Sequence, residues 1–365
     1  MPDAQLSVHT VSQIGEDPLV ADVISRYPGA DWLSVGPGDD AAVLDLSGRF
    51  SGPLVICTDT LVEGHDFRQD WSTAWDVGVK VAAQNFADVA AMGAVPHTLL
   101  VSLTTPADLP AAWARDLADG LAAECARVGA VVAGGDLSAG SEVSITGTAL
   151  GTLSAPQAVL RSGARPGDSI AIAGVSGRSA AGWALLRAGH GVLRGAAQPT
   201  ALARLVDDHR RPRPPYQAGP EAALAGATAM IDTSDGLVRD ADRVARASGV
   251  LLDLDPAALQ PDADLLAAAA FLSETRRPDS LGSDGLGSGA LGGPDPLGWV
   301  LSGGEDHALL ACFPPEVALP ASFRRIGTVR SAAEGSGEPG AGGGSVGVRL
   351  AGQPIAGPGG WKHFA

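Results

Sequence analysis

The chain has 365 residues, of which 45% are hydrophobic and only 4% are aromatic. This length predicts about two domains, with cores built mainly from small aliphatic side chains. The formal net charge of −16 disfavours binding of nucleic acid or of an anionic membrane through a basic face. No apolar run approaches the ~20 residues that span a bilayer, and the N-terminal sequence lacks a signal-peptide pattern. We therefore expect a cytoplasmic protein that binds neither nucleic acid nor membrane.

The first half of the chain alternates between strand-like and helix-like segments. Apolar spacing through Trp75, Val79 and Phe86 predicts a helix that Gly93 ends. A second helix is predicted to end at Gly129. The predicted elements are a strand at 52–62 that ends in polar residues and helices at 72–94 and 110–129. A strand at 130–140 that breaks into a glycine turn before Asp136 and a strand at 142–153 follow.

A proline-containing stretch at residues 153–166 predicts a connection between two domains, at 1–155 and 156–365. After it, strands are predicted at 169–174 and 227–237 and helices at 179–189 and 237–249. Two stretches rich in glycine, at about 273–298 and 334–347, predict flexible insertions. Together these elements predict a mixed α/β protein (α+β) of two domains.

Aspartates recur where the predicted strands end. They are Asp39 and Asp40 after a glycine turn, Asp59, Asp136, Asp232 and Asp235. Carboxylates at the ends of several strands would converge on one edge of a sheet, where α/β folds bind ligands. A single aspartate of this kind more often caps a helix or a turn, but the repetition favours a ligand site. For Asp40 both interpretations stay open.

A polar stripe is predicted on the first long helix. Lys80, Gln84 and Asp88 lie four residues apart and share one face, with Asn85 beside them. Such a stripe is often a solvated face, but the rest of this helix is apolar and rich in alanine. Its burial would require partners for the polar groups, which a metal ion or a phosphate could supply.

The ligand types favour Mg²⁺ over zinc. The candidate ligands are hard oxygen donors, and Cys57, Cys125 and Cys312 have no metal-type spacing and are predicted to be reduced core thiols. Several Mg²⁺ ions held by aspartates would allow an acidic protein to bind polyphosphate and transfer a phosphoryl group. The sequence contains no GxxxxGK[ST] loop. The glycines of "GVSGRSAAG" lack dinucleotide-loop spacing and predict a strand-to-helix turn.

Eight segments resemble, in order, motifs of the thiamine-monophosphate kinase family. They are "GPGDDAAVL", "TDTLVEGHDF", "NFADVAAMGA", "GGDLSAG", "RSGARPGD", "IDTSDGL", "LSGGEDHAL" and "GWKHF". The family is part of an ATP-binding superfamily that includes aminoimidazole ribonucleotide synthetase. The resemblance implies phosphorylation of thiamine monophosphate by ATP, by direct transfer with several Mg²⁺ ions. It also implies a homodimer that pairs through the sheets of its N-terminal, ATP-binding domains.

The resemblance also implies roles for individual residues. The implied metal ligands are Asp39, Thr58, Asp59, Asp88, Asp136, Asp232 and Asp235. The implied ATP-binding residues are Gly135, Asp136, Arg161 and Ser234. The implied substrate-binding residues are Asp66, Glu305 and Trp361. Asp136, Asp232 and Asp235 are expected to contribute most to catalysis.

Two positions depart from the family pattern. Asp66 stands where the family usually has a histidine, and His65 precedes it, so either side chain could take over that contact. Ala87 replaces a usual serine, while the neighbouring Asp88 is kept. His363 in the terminal segment could be structural or part of the site.

Two other functions remain as alternatives. One is another ATP-using enzyme of the superfamily, such as a hydrogenase-maturation or selenophosphate-synthesising enzyme. These enzymes call for a reactive terminal cysteine, whereas this chain ends in "WKHFA" and its first cysteine is Cys57. The other is a catalytically silent protein that binds nucleotide or thiamine phosphate, which only the change at Asp66 favours.

Overall fold

The computed structural model describes residues 9–37, 41–47, 52–191, 200–275, 294–335 and 346–355. The chain divides into two compact units. The first unit comprises Met1–Val89 with Ala94–Pro156, and the second comprises Ala90–Gly93 with Gln157–Ala365. Helices and mixed sheets occur in both units, which confirms the predicted mixed α/β class.

The first unit contains the two long helices that the sequence predicts. Its helices are α1 (Val11–Ile14), α2 (Glu16–Ile24), α3 (Ala74–Ala91) and α4 (Ala111–Val128). Its strands are β1 (Leu33–Val35), β2 (Val43–Leu44), β3 (Leu54–Val62), β4 (Ala94–Thr105), β5 (Val131–Ala139) and β6 (Ser144–Leu153). Gly129 caps α4 in the left-handed conformation, as its position after the apolar repeat predicts.

A four-stranded sheet with the order β3-β6-β4-β5 forms the centre of the first unit. Strands β4 and β5 are parallel and the other neighbours are antiparallel. Helix α3 lies directly on β6, because a Cβ at Gly147 would lie 2.4 Å from Asn85 Nδ2 and one at Gly151 would lie 2.3 Å from Val89 Cγ1. The opposite face of the sheet exposes apolar side chains, including Ile56 at 61%.

Two glycines allow α3 and α4 to touch backbone to backbone. A Cβ at Gly78 would lie 2.2 Å from the carbonyl oxygen of Leu117, and one at Gly120 would lie 2.1 Å from that of Trp75. Any larger residue at either glycine would have to push the two helices apart. This contact fixes α3 over the sheet and thereby fixes its polar stripe.

The second unit is built on a seven-stranded sheet with the order β13-β12-β9-β11-β7-β10-β8. Its strands are β7 (Ser169–Ala173), β8 (Ala229–Asp232), β9 (Leu251–Leu254), β10 (Leu309–Phe313), β11 (Phe323–Arg330), β12 (Gly347–Leu350) and β13 (Gln353–Pro354). Its helices are α5 (Arg178–Arg187), α6 (Ala201–Arg210), α7 (Ala218–Leu224), α8 (Leu237–Ser248), α9 (Ala263–Thr275) and α10 (Pro296–Ser302), with 3₁₀ turns at Pro256–Leu259 and Ala332–Gly335. Within this sheet only β9 and β12 pair in parallel among the described strands.

Regular secondary structure extends into both ranges that the sequence predicts as flexible insertions. Helix α9 continues to Thr275 and α10 begins at Pro296, because Ala-rich and capped apolar segments extend into the range predicted as an insertion. Strand β12 begins at Gly347, inside the second predicted range. Residues 276–293 and 336–345 lie outside the described residues.

Among the described helices, none has both the length and the hydropathy that crossing a membrane would require.

Replacement of Gly78 by alanine is expected to lower the free energy of unfolding by about 3 kcal/mol, because the new Cβ meets the backbone of α4. The gain in helix propensity, about 1 kcal/mol, is too small to offset this clash. Urea unfolding measures the change. Gly29→Ala is the control, since nothing lies within 4 Å of its added Cβ, and a change below about 0.5 kcal/mol is expected. Equal stability of Gly78→Ala and wild type would contradict the helix contact.

Candidate functional site

Asp59 and Asp136 lie within strands, which corrects the prediction that they follow strand ends. Strand β3 continues past Asp59 to Val62, and β5 continues past Asp136 to Ala139. The glycine pair before Asp136 is not a turn. A Cβ at Gly135 would lie 1.9 Å from the carbonyl oxygen of Val101, so this glycine allows β5 to approach β4.

The predicted ligands of the first unit lie on opposite faces of its sheet. Thr58 and Asp136 lie on the open face, which is the face turned away from α3. Thr58 pairs with Thr148, the neighbour of the helix-facing Gly147, and Asp136 pairs with Ser102, which lies in the next row of the same face. Asp59 pairs with Gly147 and faces the helix side. The edge strands β3 and β5 are three strand spacings apart, about 14 Å along the sheet. The expected convergence of these residues on one edge is therefore not found.

Hydrogen bonds already occupy three of these side chains. Thr58 Oγ1 donates to the carbonyl oxygen of Gly147 at 2.8 Å. Asp136 Oδ2 accepts a hydrogen bond from Ser138 Oγ at 2.8 Å, and both side chains are exposed. Asp59 Oδ1 accepts from the amide of Thr60 at 2.8 Å.

The polar stripe of α3 is buried, as its alanine-rich surroundings predict. Lys80 is 2% exposed and Gln84 is 5% exposed, whereas Asp88 is half-buried. Lys80 Nζ donates to the carbonyl oxygen of Asp66 at 3.0 Å. The stripe thus places a buried cation and a carboxylate on the same side of the sheet as Asp59.

Asp66 closes the turn that follows β3. Its Oδ2 accepts a hydrogen bond from the amide of Val62 at 2.8 Å, and its carbonyl oxygen accepts from Lys80. The residue that departs from the family pattern therefore has a local structural role. His65, its neighbour, is exposed.

In the second unit, Asp232 is the last residue of β8, where the sequence predicts it. His307 Nδ1 lies 3.1 Å from Asp232 Oδ2, and both side chains are buried. His307 has a positive φ of 51°, an unusual conformation for a non-glycine residue. His307 is not among the site residues predicted from the sequence, although it lies in the motif "LSGGEDHAL".

Asp235 lies between two arginines of α8. Arg243 Nη2 donates to Asp235 Oδ2, and Arg239 Nε lies 3.5 Å from the same oxygen. Arg243 Nη1 also donates to Asp240 Oδ1 at 2.5 Å. Sequence analysis missed both arginines. Their positions four and eight residues after Asp235 were the available signal, because such spacing places them on one helix face.

Asp240 supports this arrangement from the first turn of α8. Its Oδ2 accepts a hydrogen bond from the amide of Asp235 at 2.9 Å. Burial, together with the charge of Asp232, raises the pKa of Asp240 to about 7, although Arg243 opposes the shift. Three carboxylates and two guanidinium groups thus share the N-terminal end of α8.

Glu305 also has a positive φ, of 65°, and its amide donates to the carbonyl oxygen of Ser234 at 2.8 Å. Its Oε2 lies 3.3 Å from His209 Nδ1, which is also 3.0 Å from Ser179 Oγ. His209 lies on α6 and is buried. No sequence signal connects His209 with Glu305, because the two residues are distant along the chain.

Asp306 anchors the segment that carries Glu305 and His307. Its Oδ2 accepts from the amide of Gly177 at 2.5 Å, and its Oδ1 accepts from that of Ser179 at 2.8 Å. Burial raises the pKa of Asp306 to about 7, although both amide bonds oppose the shift. This carboxyl group ties the segment to the start of α5.

The remaining predicted site residues are less constrained. Arg161 is exposed, and its carbonyl oxygen accepts a hydrogen bond from Ser248 Oγ at 3.2 Å. Ser234 is half-buried beside Asp235. Asp39 and Trp361, predicted as metal and substrate ligands, lie outside the described residues, as do Asp40 and His363.

The donor chemistry of the predicted ligands fits Mg²⁺. All of them offer oxygen atoms, which hard cations prefer. Within the described ranges, no three histidine, cysteine, aspartate or glutamate side chains are grouped so that they could hold a metal ion. Any ion at the described residues would therefore also need other oxygen atoms, such as those of bound phosphates or of water.

Comparison with known proteins agrees with the motif resemblance. Residues 38–153 match the family described as "AIR synthase related protein, N-terminal domain". The thiamine-monophosphate kinase of Mycobacterium tuberculosis (strain H37Rv) is 41% identical over 355 residues, which cover 97% of this chain and 93% of that protein. The chain belongs to the thiamine-monophosphate kinase family. The Salmonella typhimurium thiamine-monophosphate kinase is 36% identical over 82% of both chains.

Solved structures of this family share the fold. The thiamine-monophosphate kinase of Stenotrophomonas maltophilia superposes with a TM-score of 0.72 at 27% identity, covering 92% of this chain and 96% of that one. A complex described as "AaThiL complexed with AMPPCP and TMP" has a TM-score of 0.71 at 28% identity, covering 96% and 98%. E. coli HypE, a hydrogenase maturation protein, has a TM-score of 0.60 at 18% identity, covering 93% of each chain, and is similar in fold alone.

The pKa shift of Asp306 predicts a pH-dependent stability. Its pKa rises from 3.8 to about 7 on folding, so the folded protein keeps a proton in this range that the unfolded chain has released. The wild-type free energy of unfolding is therefore expected to fall, relative to that of Asp306→Asn, as the pH rises from about 4 to about 7. Urea unfolding of both proteins at about pH 4.5 and about pH 7.5 measures this difference. A difference that is the same at both pH values would refute the predicted shift.

Proposed function

We propose that this protein phosphorylates thiamine monophosphate to thiamine diphosphate with ATP. The observation that carries the proposal is the 41% identity to a thiamine-monophosphate kinase over 97% of the chain. A second observation supports it, since a structural relative binds AMPPCP, an ATP analogue, together with TMP. The cytoplasmic location expected from the sequence stays a prediction.

Several Mg²⁺ ions would take part. In the first unit the ligands would be Thr58 and Asp136 on one face of the sheet and Asp59 and Asp88 on the other. In the second unit they would be Asp232 and Asp235, and Asp39 would join from outside the described residues. Bound Mg²⁺ would neutralise the charge of the phosphate groups. The separation of Asp136 from Asp59 supports more than one ion, because Mg²⁺ binds its ligands at about 2.1 Å.

Positioning and charge neutralisation would carry the catalysis. The acceptor is a phosphate monoester whose second pKa is about 6, so it is largely deprotonated at neutral pH and needs no general base. Asp136, Asp232 and Asp235 would contribute most. His307 would hold the carboxylate of Asp232 in place through its 3.1 Å contact.

The ATP and thiamine contacts follow from the motif resemblance. Gly135, Ser234 and Arg161 would lie against ATP. Gly135 supports this role because it is exposed and lacks a side chain beside Asp136. Asp66, Glu305 and Trp361 would contact the thiamine part. The carboxylate of Glu305, oriented by His209, suits a cationic ring.

We also propose a homodimer that forms through the open face of the first unit's sheet. Leu54, Ile56 and Leu100 are 48%, 61% and 38% exposed on this face. Large apolar side chains that share one sheet face favour a partner surface. Thr58 and Asp136 lie on the same face, so ATP would bind near the interface.

The activity is tested by measuring ADP release with ATP, Mg²⁺ and thiamine monophosphate. Turnover is expected with thiamine monophosphate and not with unphosphorylated thiamine, and absence of turnover with both would overturn the proposed function.

Asp136→Asn is expected to lower kcat by about a hundredfold or more, because a group that stabilises charge in the transition state is lost. The exposure of Asp136 predicts an unchanged fold. Glu142→Gln, which removes an exposed charge near the same sheet, is the control and should keep wild-type turnover.

Introduction of a charge at Ile56 is expected to separate the dimer. Ile56→Asp would place carboxylates in an apolar interface, so a mass near that of one 36.6 kDa chain is expected by light scattering, against twice that mass for wild type. Leu266→Asp, at a 54% exposed position on α9 of the other unit, should leave the dimer intact. A dimeric Ile56→Asp protein would contradict this interface.

A further inference from the structure

The guanidinium groups of two arginines lie at one oxygen of Asp235. Arg243 donates to its Oδ2, and Arg239 lies 3.5 Å from the same atom. The Asp235 side chain is only 13% exposed, so solvent screens these pairs weakly. A divalent cation that takes this carboxylate oxygen has to displace both guanidinium groups from it.

The charge count around α8 changes when a cation binds. Asp232, Asp235 and Asp240 carry three negative charges when ionised, and Arg239 and Arg243 carry two positive charges, which leaves a net charge of −1. A divalent cation raises this sum to +1. An anionic ligand beside the arginines would then restore the balance.

The two arginines have donors to offer to such a ligand. Nη1 of Arg239 is buried without a hydrogen-bond partner among the described atoms. Arg243 keeps Asp240 on its Nη1, which holds the guanidinium group in place while Nη2 changes partner. Planar guanidinium groups fit the oxygens of a phosphate closely.

We propose that Arg239 and Arg243 exchange Asp235 for a phosphate group when a divalent cation binds that carboxylate. The arginines thus act as counter-ions of Asp235 before loading and as phosphate ligands after it. This inference rests on the proposed function in two respects: Asp235 binds the cation, and the ligand carries a phosphate. The phosphate is either that of the nucleotide or that of the acceptor monoester.

The exchange predicts opposite effects on two affinities. Without the arginines, a cation no longer has to displace them, so the ligand-free protein should bind it more tightly. The cation-loaded protein should bind phosphate more weakly, because two donors are lost. Arginines that merely orient Asp235 would instead lower the cation affinity when removed.

The test uses the full-length chain with Arg239→Gln, Arg243→Gln and the double variant. Arg246→Gln is the matched control, because Arg246 lies on the same helix but pairs with Asp242 on the surface and is 71% exposed. Mn²⁺, followed by its electron paramagnetic resonance signal, is the cation probe in the absence of nucleotide. Each single variant is expected to bind Mn²⁺ about fivefold more tightly and the double variant about tenfold or more, while Arg246→Gln stays at the wild-type value.

The phosphate arm uses AMPPCP and thiamine monophosphate as separate probes, each with saturating Mg²⁺. The Kd of one of them is expected to rise about tenfold in the double variant, and that one identifies the source of the phosphate. Asp235→Asn serves as a background in which the arginine substitutions should no longer change Mn²⁺ affinity. Circular dichroism and the Tm of each variant check the fold, and Arg243→Gln, at the more exposed of the two arginines, is the variant least dependent on packing.

A weaker or unchanged Mn²⁺ affinity in the folded variants would overturn the exchange, as would unchanged binding of both phosphate probes. Failure of the exchange can be distinguished from failure of the proposed function. Wild-type turnover of thiamine monophosphate would remain if only the exchange is wrong. If the wild-type protein lacks that turnover, the arginine variants could still bind Mn²⁺ more tightly and AMPPCP more weakly than wild type.

Discussion

Repulsion between neighbouring carboxylates is the constraint on which the candidate site depends. The chain has a formal net charge of −16, and nearly all of its predicted metal ligands are aspartates. Like charges in a partly buried place are costly unless cations or hydrogen-bond donors offset them. The second unit meets this cost within α8 and its neighbours, where Asp235 has Arg239 and Arg243 and Asp232 has His307.

The first unit reduces the same repulsion by separation. Alternation along the strands sends Thr58 and Asp59 to opposite faces, and the strand order keeps Asp136 at the far edge of the sheet. The glycine contacts of α3 bury Lys80 on the side of Asp59. The two units therefore hold their acidic ligands by different means, one by geometry and the other by counter-ions.

The sequence predicts the parts of the fold that local patterns determine. Apolar periodicity placed the long helices of the first unit, and Gly129 marked the end of one of them. The continuation of β5 through Gly135 could not be predicted from the sequence. This glycine allows β5 to pack closely against β4, which is distant along the chain. The site shows the same division. Arg243 was not predicted although the helical spacing offered a signal for it, whereas His209 meets Glu305 only through the tertiary fold.

The departure from the family pattern at Asp66 has a physical explanation within the first unit. Its carboxylate accepts a hydrogen bond from the amide of Val62, and its carbonyl oxygen accepts one from Nζ of the buried Lys80. The residue thus links the turn after β3 to the polar stripe of α3, on the side of the sheet that carries Asp59. The hydrogen bond to Val62 is made by the Asp66 side chain itself, which gives this residue a structural role. The interpretation as a catalytically silent protein rests on Asp66 alone, whereas the 41% identity to a thiamine-monophosphate kinase extends over 97% of the chain.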